Sequence, residues 1–200
     1  MSSANNKTGI VVLAAGISSR LGSPKQLLTF HGNNLLKHLL REANNTNAGS
    51  VIVVIGANAN LILPEIDESK ATVIENKAWQ EGMASSIRTG LQKFLEIMPE
   101  ADSVIFMVCD QPYVNAALLN ELIKKHTETG KQIIASNYGE AIGTPALFHN
   151  SFFKELMLLK GDTGAKNIIL KYVEEIETVE FPMGSIDIDR KEDYEKLDKD

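Results

Sequence analysis

The chain has 200 residues, 44% hydrophobic and 23% charged, which suffices for one domain with a sizeable core and is too short for two ordinary ones, so residues 1–200 are read as a single domain. Its net charge of −6, with both signs mixed along the sequence, excludes a general nucleic-acid surface, and an anionic ligand must be held by local cations. Cys109 is the only cysteine, which excludes a disulfide framework or a cysteine-rich metal site within one chain; no apolar run approaches membrane-spanning length, and polar Met1 to Thr8 lacks the apolar centre of a secretory signal, so the expected location is the cytoplasm, with no membrane partner.

In chain order, the first element is the apolar run Gly9 to Ala14, which reads as a buried parallel strand. It opens into the small-residue loop Ala14-Ala-Gly-Ile-Ser-Ser-Arg20, with Lys25 following. At the carboxyl end of a strand, Ala14, Ala15, Gly16, Ser18 and Ser19 leave backbone N–H groups open to a polyanion, and Arg20 and Lys25 supply the countercharge. Neither G-x-x-x-x-G-K-[ST] nor G-x-G-x-x-G is present after this strand. The spacing that is present, L-A-A-G-x-S-x-R-x-G-x-x-K-x-L-L from Leu13 to Leu28, fixes five polar or glycine positions. At background frequencies these coincide on the order of once in 10⁶ starting positions. The plainer alternative is a surface loop with incidental charges.

Further strands are expected at Val51 to Gly56, Ala71 to Glu75, Ser103 to Cys109, Gln132 to Ser136, Pro145 to Phe148 and Glu177 to Phe181, with helices between them. This alternation predicts a three-layer α/β fold with a mostly parallel central sheet. Met83, Ile87, Leu91, Phe94, Leu95 and Met98 form one helical stripe, and Leu118, Leu119, Leu122 and Ile123 another. Before the first stripe, Gly82 opens a helix whose first turns carry Ser85 and Ser86 and could receive an anion or a base edge; the alternative is a turn glycine followed by capping serines. Trp79 is either a stacking wall or packing. The strand ending in Cys109 runs directly into Asp110-Gln-Pro112, and a carboxylate at a strand end beside a triphosphate is a natural Mg²⁺ ligand, unless it caps the next turn. Cys109 itself reads as a small core residue.

Asp162 is placed as the N-cap of a helix to Val173. Gly184-Ser-Ile-Asp187-Ile-Asp189 alternates apolar and acidic residues, so in a strand both carboxylates would share a face and could complete the metal site. Asp187 is favoured as the ligand, with Asp189 as the N-cap of a helix from Lys191 to Leu197; a solvated edge strand is the rival reading. The histidines His31, His38, His126 and His149 lack zinc-site spacing. Asn44 to Ser50 reads as a polar turn and Asn137 to Gly143 as an exposed loop.

The chain resembles the MobA-like nucleotidyltransferase family, and within it the molybdenum cofactor cytidylyltransferase group. The opening motif from Leu13, Trp79-x-x-Gly82-Met83-x-x-Ser86, Asp110-Gln-Pro112, Gly143-x-Pro145-x-Leu-Phe148 and Gly161-Asp162-x-Gly164-Ala165 are similar to that group's segments and occur in the same order. The resemblance implies a Rossmann-like nucleotidyltransferase fold, Mg²⁺ dependence, and transfer of a nucleoside monophosphate with release of pyrophosphate. Leu13, Ala14, Ala15, Gly16, Ser18, Gly82 and Ser86 would line the nucleotide, with Arg20 and Lys25 on its phosphates. Asp110 would hold the metal with Asp187 or Asp189. Gly143, Pro145, Asp162, Gly164 and Lys166 would receive the acceptor. Ala15 stands where relatives using guanine nucleotides often have glycine, which favours CTP.

The implied acceptor is a small phosphorylated molecule such as molybdopterin, and the implied protein contact a transient one with a molybdoenzyme or its maturation chaperone. Two departures bear on the acceptor: the family's D-x-D-T-P-E-D ending is Asp187-Ile-Asp189-Arg-Lys-Glu-Asp193 here, and Lys166 replaces a common arginine. A sugar or alcohol phosphate acceptor, a GTP or ATP donor, and a non-catalytic nucleotide-binding or cofactor-escort role are the competing expectations.

Overall fold

The β-branched runs become strands, and side-chain alternation along each divides the core into two layers. The computed structural model describes residues 7–66, 71–172 and 175–197. Its strands are β1 (Thr8–Ala14), β2 (Thr29–Phe30), β3 (Asn33–Asn34), β4 (Ser50–Ile55), β5 (Thr72–Glu75), β6 (Ser103–Val108), β7 (Ile133–Asn137), β8 (Ile142–His149) and β9 (Ile176–Glu180). Seven of them form one sheet in the order β5-β4-β1-β6-β8-β7-β9, while β2 and β3 make a separate ribbon absent from the sequence expectation. In the large sheet β8 runs antiparallel to both β6 and β7, and the other pairings are parallel.

The helices are α1 (Leu35–Asn44), α2 (Ala59–Ile66), α3 (Met83–Ile97), α4 (Ala116–Thr129), α5 (Phe153–Leu156), α6 (Lys166–Lys171) and α7 (Lys191–Glu195). Successive strand side chains point to opposite faces. Ile10, Val12 and Ala14 therefore pack with Leu36, Leu39, Ile62 and Leu119 of α1, α2 and α4. Val11, Leu13 and Ala15 pack with Ile87, Leu91 and Phe94 of α3 and with Leu156 and Ile168 of α5 and α6. Each layer rests on helices whose apolar stripe matches the 3.6-residue period. Gly90 sets how closely α3 lies on the sheet: a Cβ there would stand 2.4 Å from Val11 Cγ1 and 2.8 Å from Val54 Cγ2. Asn34 and Asn115 cap α1 and α4 by accepting the backbone N–H of Lys37 and Leu118, respectively.

Three expectations are corrected. The helix foreseen from Asp162 begins only at Lys166, Asp162 makes no capping hydrogen bond, and Ala165 occupies the N-cap position. Val173, its expected end, lies outside the described residues, as do residues 1–6 of the polar start. Residues 186–189 form no strand; a 3-10 turn at Pro182–Ser185 precedes them. Asp189 is not the cap of α7, because Arg190 holds that position and the Asp193 carboxylate accepts the N–H groups of both Asp189 and Arg190. Among the described residues, no helix is long and apolar enough to cross a membrane.

The strand order puts a topological switch at β1: the chain runs outward through β4 and β5, then returns to place β6 on the other side. Loops leaving the carboxyl ends of β1 and β6 diverge there and leave a crevice, the position where open α/β sheets bind ligands.

Candidate active site

The loop after β1 is shaped by a buried amide. Gln26, 1% exposed, donates from Nε2 to the carbonyls of Ala14 (2.7 Å) and Gly16 (3.2 Å), pulling both ends of the turn together. Ser18 takes a positive φ of 56°, and its Oγ accepts the backbone N–H of Lys25 at 3.1 Å. With the turn so held, the N–H groups of Gly16 to Arg20 have no protein acceptor among the described residues. An array of unpaired N–H donors suits an anion.

Across the crevice, Asp110 follows β6. Lys25 Nζ stands 3.2 Å from Asp110 Oδ2 and 3.0 Å from Asp189 Oδ1, and exposed Arg20 reaches Asp189 at 3.6 Å. Burial disfavours the Lys25 ammonium, but the two carboxylates outweigh it and raise its pKa above the ordinary lysine value, so it remains a cation. Asp187 lies on the same segment and is solvent-exposed. Its pKa is raised by desolvation and then by the like charges of Asp110 and Asp189.

The C-terminal segment reaches this point because Ile188 N–H donates to the Asp110 carbonyl at 2.9 Å and Gln111 Nε2 donates to the Gly184 carbonyl at 2.9 Å. Ile188 is fully buried, which turns its acidic neighbours outward. Among the described residues, no three acidic, histidine or cysteine side chains make a ready metal cage. Mg²⁺ does not demand one: it binds through one or two carboxylates together with substrate phosphates, and Asp110 with Asp189 offers such an oxygen pair.

Two joined hollows occupy the crevice. One, of about 490 Å³, is walled by Leu13, Ala15, Gly16, Trp79, Gly82, Ser86 and Asp162. The other, of about 210 Å³, is walled by Gly16, Ser18, Ser19, Arg20, Lys25 and Asp189. Gly16 and Ile17 belong to both, so the hollows are continuous. Gly82 brings the first hollow's walls together: its φ is 109°, and a Cβ there would meet Asp162 Oδ1 at 2.3 Å and Asp162 N at 2.7 Å.

The structure thus brings together Leu13, Ala15, Gly16, Ser18, Arg20, Lys25, Gly82, Ser86, Asp110 and Asp189. Ala14 is different, since its methyl group faces the layer of α1 and α4 and only its carbonyl serves the loop. Asp162 stands in the wall of the larger hollow, where Gly164 lies near Met83 and Lys166 is exposed. Gly143 and Pro145 are buried in β8, Gly143 beside the Tyr138 hydroxyl, which accepts from Gln111 at 2.9 Å and donates to the Thr144 carbonyl, and Pro145 with its carbonyl accepting from Ser136 Oγ at 2.7 Å. Sequence reasoning gave no role to Gln26, Asn76 or Gln111. Gln26 and Gln111 are buried amides inside recognised segments and Asn76 directly follows the strand expected to end at Glu75, and those positions were the available signal.

A mostly parallel sheet that delivers an open N–H loop, two cations and a strand-end carboxylate to its switch point defines a nucleotidyltransferase of Rossmann-like architecture. Consistent with that class, the chain belongs to the MobA-like NTP transferase domain family, matched over residues 10–176.

It is 26% identical over 197 residues to a probable molybdenum cofactor guanylyltransferase of Bacillus cereus (strain G9842), covering 95% of each chain. It is 31% identical over 121 residues to the bifunctional protein GlmU of Francisella philomiragia subsp. philomiragia, with 60% of this chain and 26% of that protein covered; the chain therefore spans about a quarter of that relative's length. Among solved structures, Rv0371c of Mycobacterium tuberculosis H37Rv superposes with a TM-score of 0.82 at 27% identity, covering 96% of this chain and 97% of that one. A complex of Rv0371c with manganese gives a TM-score of 0.76 at 25% identity and covers the same shares.

Proposed function

We propose that the protein transfers CMP from CTP to a small phosphorylated acceptor of the molybdopterin type and releases pyrophosphate. The observation that carries this reading is the continuity of the two hollows, a largely uncharged chamber sized for a nucleoside leading through Gly16 and Ile17 into a cation-lined one sized for phosphates. A nucleoside triphosphate bound along them would place its phosphates between the open N–H groups of residues 16–20 and the side chains of Arg20 and Lys25. Attack by an acceptor phosphate oxygen on the α-phosphorus, with pyrophosphate leaving in line, would then depend on positioning and charge stabilisation. An acceptor phosphomonoester is largely ionised at neutral pH and needs no strong base.

No covalent intermediate is required. Cys109, the nearest thiol, is buried, and burial pushes its pKa far up, which leaves it unreactive. Asp110 and Asp189 would hold a divalent cation, Mg²⁺ or the Mn²⁺ bound by the Rv0371c relative. Such an ion supplies Lewis-acid neutralisation of phosphate oxygens. Lys25 and Arg20 would stabilise the charge that accumulates on pyrophosphate. The acceptor would enter from the side of Asp110 and the turn at Asp162 to Lys166, with Lys166 offering an exposed cation.

Ala15 supports cytosine. Its methyl group narrows the larger hollow, and it cannot retreat, because Gly56 backs it so closely that a Cβ on Gly56 would lie 2.8 Å from Ala15 Cβ. A second reading, GTP as donor, is favoured by the guanylyl name of the B. cereus relative.

The test is pyrophosphate release from each nucleoside triphosphate in Mg²⁺, with molybdopterin, sugar phosphate or no acceptor. CTP with molybdopterin should be fastest. Preference for GTP would overturn the cytidine assignment, a preferred sugar phosphate would overturn the acceptor, and no release with any pair would leave a nucleotide-binding protein.

A further inference from the structure

Beneath the floor of the larger hollow lies a buried polar cluster, of which Ser86 reaches the hollow's wall. Asn76, 2% exposed, follows β5 and donates its backbone N–H to the Ile55 carbonyl at 2.8 Å. Its Oδ1 accepts the backbone N–H of Ala78 at 2.9 Å. That bond fixes the orientation of the amide, because the atom facing a backbone N–H must be the oxygen. Nδ2 therefore points the other way, and its two hydrogens go to Ser85 Oγ at 2.8 Å and Ser86 Oγ at 3.0 Å.

The two serines then differ. Ser85 passes its proton to the Gly82 carbonyl at 2.8 Å and is satisfied within the protein. Ser86, 5% exposed, accepts from Asn76, and among the described residues no acceptor takes its proton. It is also the serine that lines the hollow. One lone pair of the hydroxyl is thus engaged by a fixed N–H and its proton is left without a protein acceptor, so the unmet need of this buried group is an acceptor on the ligand.

We propose that Asn76 is a positioning residue that sets the polarity of Ser86, so that the base chamber presents one fixed hydrogen-bond donor and selects an acceptor edge, O2 or N3 of cytosine. The proposal rests on the nucleotide reading above and deepens it. Uncharged donors placed in a dry pocket discriminate strongly, since a base without the matching acceptor leaves the buried donor unpaired.

The test compares equilibrium binding of CTP, as its Mg²⁺ complex, to the wild type, Ser86→Ala, Asn76→Asp and the double variant, with melting temperatures taken alongside. Asn76→Asp keeps the acceptor for Ala78 N–H and replaces the donor facing Ser86 with a second acceptor, so the Ser86 proton turns inward and a lone pair faces the ligand. Ser86→Ala should weaken CTP binding roughly 3- to 10-fold, the worth of one neutral hydrogen bond. Asn76→Asp should weaken it at least as much. In the Ser86→Ala background, Asn76→Asp should add less than about 2-fold, because its effect runs through the hydroxyl.

Independent, multiplying losses would overturn the proposal, as would unchanged affinity in Ser86→Ala. If Asn76→Asp does not fold, Asn76→Gln and Ser86→Ala complete the same cycle. If the wild type prefers GTP, the cytidine reading fails, and the cycle is run on GTP, where uncoupled variants would still overturn the role of Asn76. Failure of pyrophosphate release would overturn catalysis alone, because the readout here is binding.

Discussion

The two halves of the crevice are built from opposite materials. The base end carries one charged wall residue, Asp162, and is held from below by buried amide and hydroxyl groups bonded to one another and to the backbone, Asn76 with Ser85 and Ser86 and, nearby, Gln26 with two loop carbonyls. The phosphate end is ionic and partly exposed: Lys25 is shared between Asp110 and Asp189, and Arg20 reaches Asp189 from solvent. Preorganised neutral hydrogen bonds give selectivity that salt hardly touches, whereas exposed ion pairs are weak, screened and ready to exchange partners. Selection of the base and handling of charge are therefore separable here, and they break under different substitutions.

The largest effect belongs to the ionic half. Lys25→Ala and Asp110→Asn should each lower pyrophosphate release on the order of 10² to 10³-fold with every nucleotide while circular dichroism stays unchanged, because they remove charge and leave the core intact. A near-wild-type rate in either would remove that residue from the site. Within the acidic segment, Asp189→Ala should raise the Mg²⁺ concentration for half-maximal rate more than Asp187→Ala does, since Asp189 shares Lys25 with Asp110 and Asp187 does not. The opposite order would restore Asp187 as the ligand.

The junction comes next. Gly82→Ala forces a Cβ into Asp162 at a backbone angle that side chains rarely adopt, and should cost about 1–3 kcal/mol of stability, read by denaturant titration. In the neutral half, Ala15→Gly removes one methyl group from the base chamber. It should shift the ratio of CTP to GTP use by about 4-fold, the worth of one buried methyl, and added salt should raise both Michaelis constants without moving that ratio. A salt-sensitive ratio would erase the distinction between the halves.

The smallest effect lies outside the crevice, at His38. Burial lowers its pKa below the ordinary 6.5, outweighing the charge of Glu42, and Arg41 donates to its Nδ1 at 3.1 Å. As pH falls through 6.5 the unfolded chain takes up this proton before the folded chain does, so stability is lost downward from that pH. His38→Gln should flatten the difference in denaturation midpoint between pH 7 and pH 5.5.

The same contrast explains what could be read from the sequence. All seven strands of the large sheet were legible, because buried β-branched runs such as Ile10 to Leu13 have no other common use. The charged residues that the structure gathers at the crevice also stood out, Asp110 because it closely follows a buried strand and Arg20 and Lys25 because they sit among the small residues after β1. The alternation at Ile186 to Asp189 was misread because burying Ile188 beside Asp110 turns the acids outward just as a strand would, and no ladder partner is visible in a sequence. Asp162 looked like a cap because the helical period follows it, but Gly161, at a φ of 61°, and Gly164 delay the helix to Lys166. Gln26, Asn76 and Gln111 were invisible in role, because a polar loop residue looks the same whether it faces water or holds a neighbouring carbonyl.

Nucleotidyl transfer is tested most directly by following label from CTP into the acceptor. With CTP carrying radioactive phosphorus at the α position, label should appear in the acceptor product, and with label at the γ position it should appear only in pyrophosphate. Transfer of γ label to the acceptor would mean a kinase and would contradict the assignment of the phosphate end.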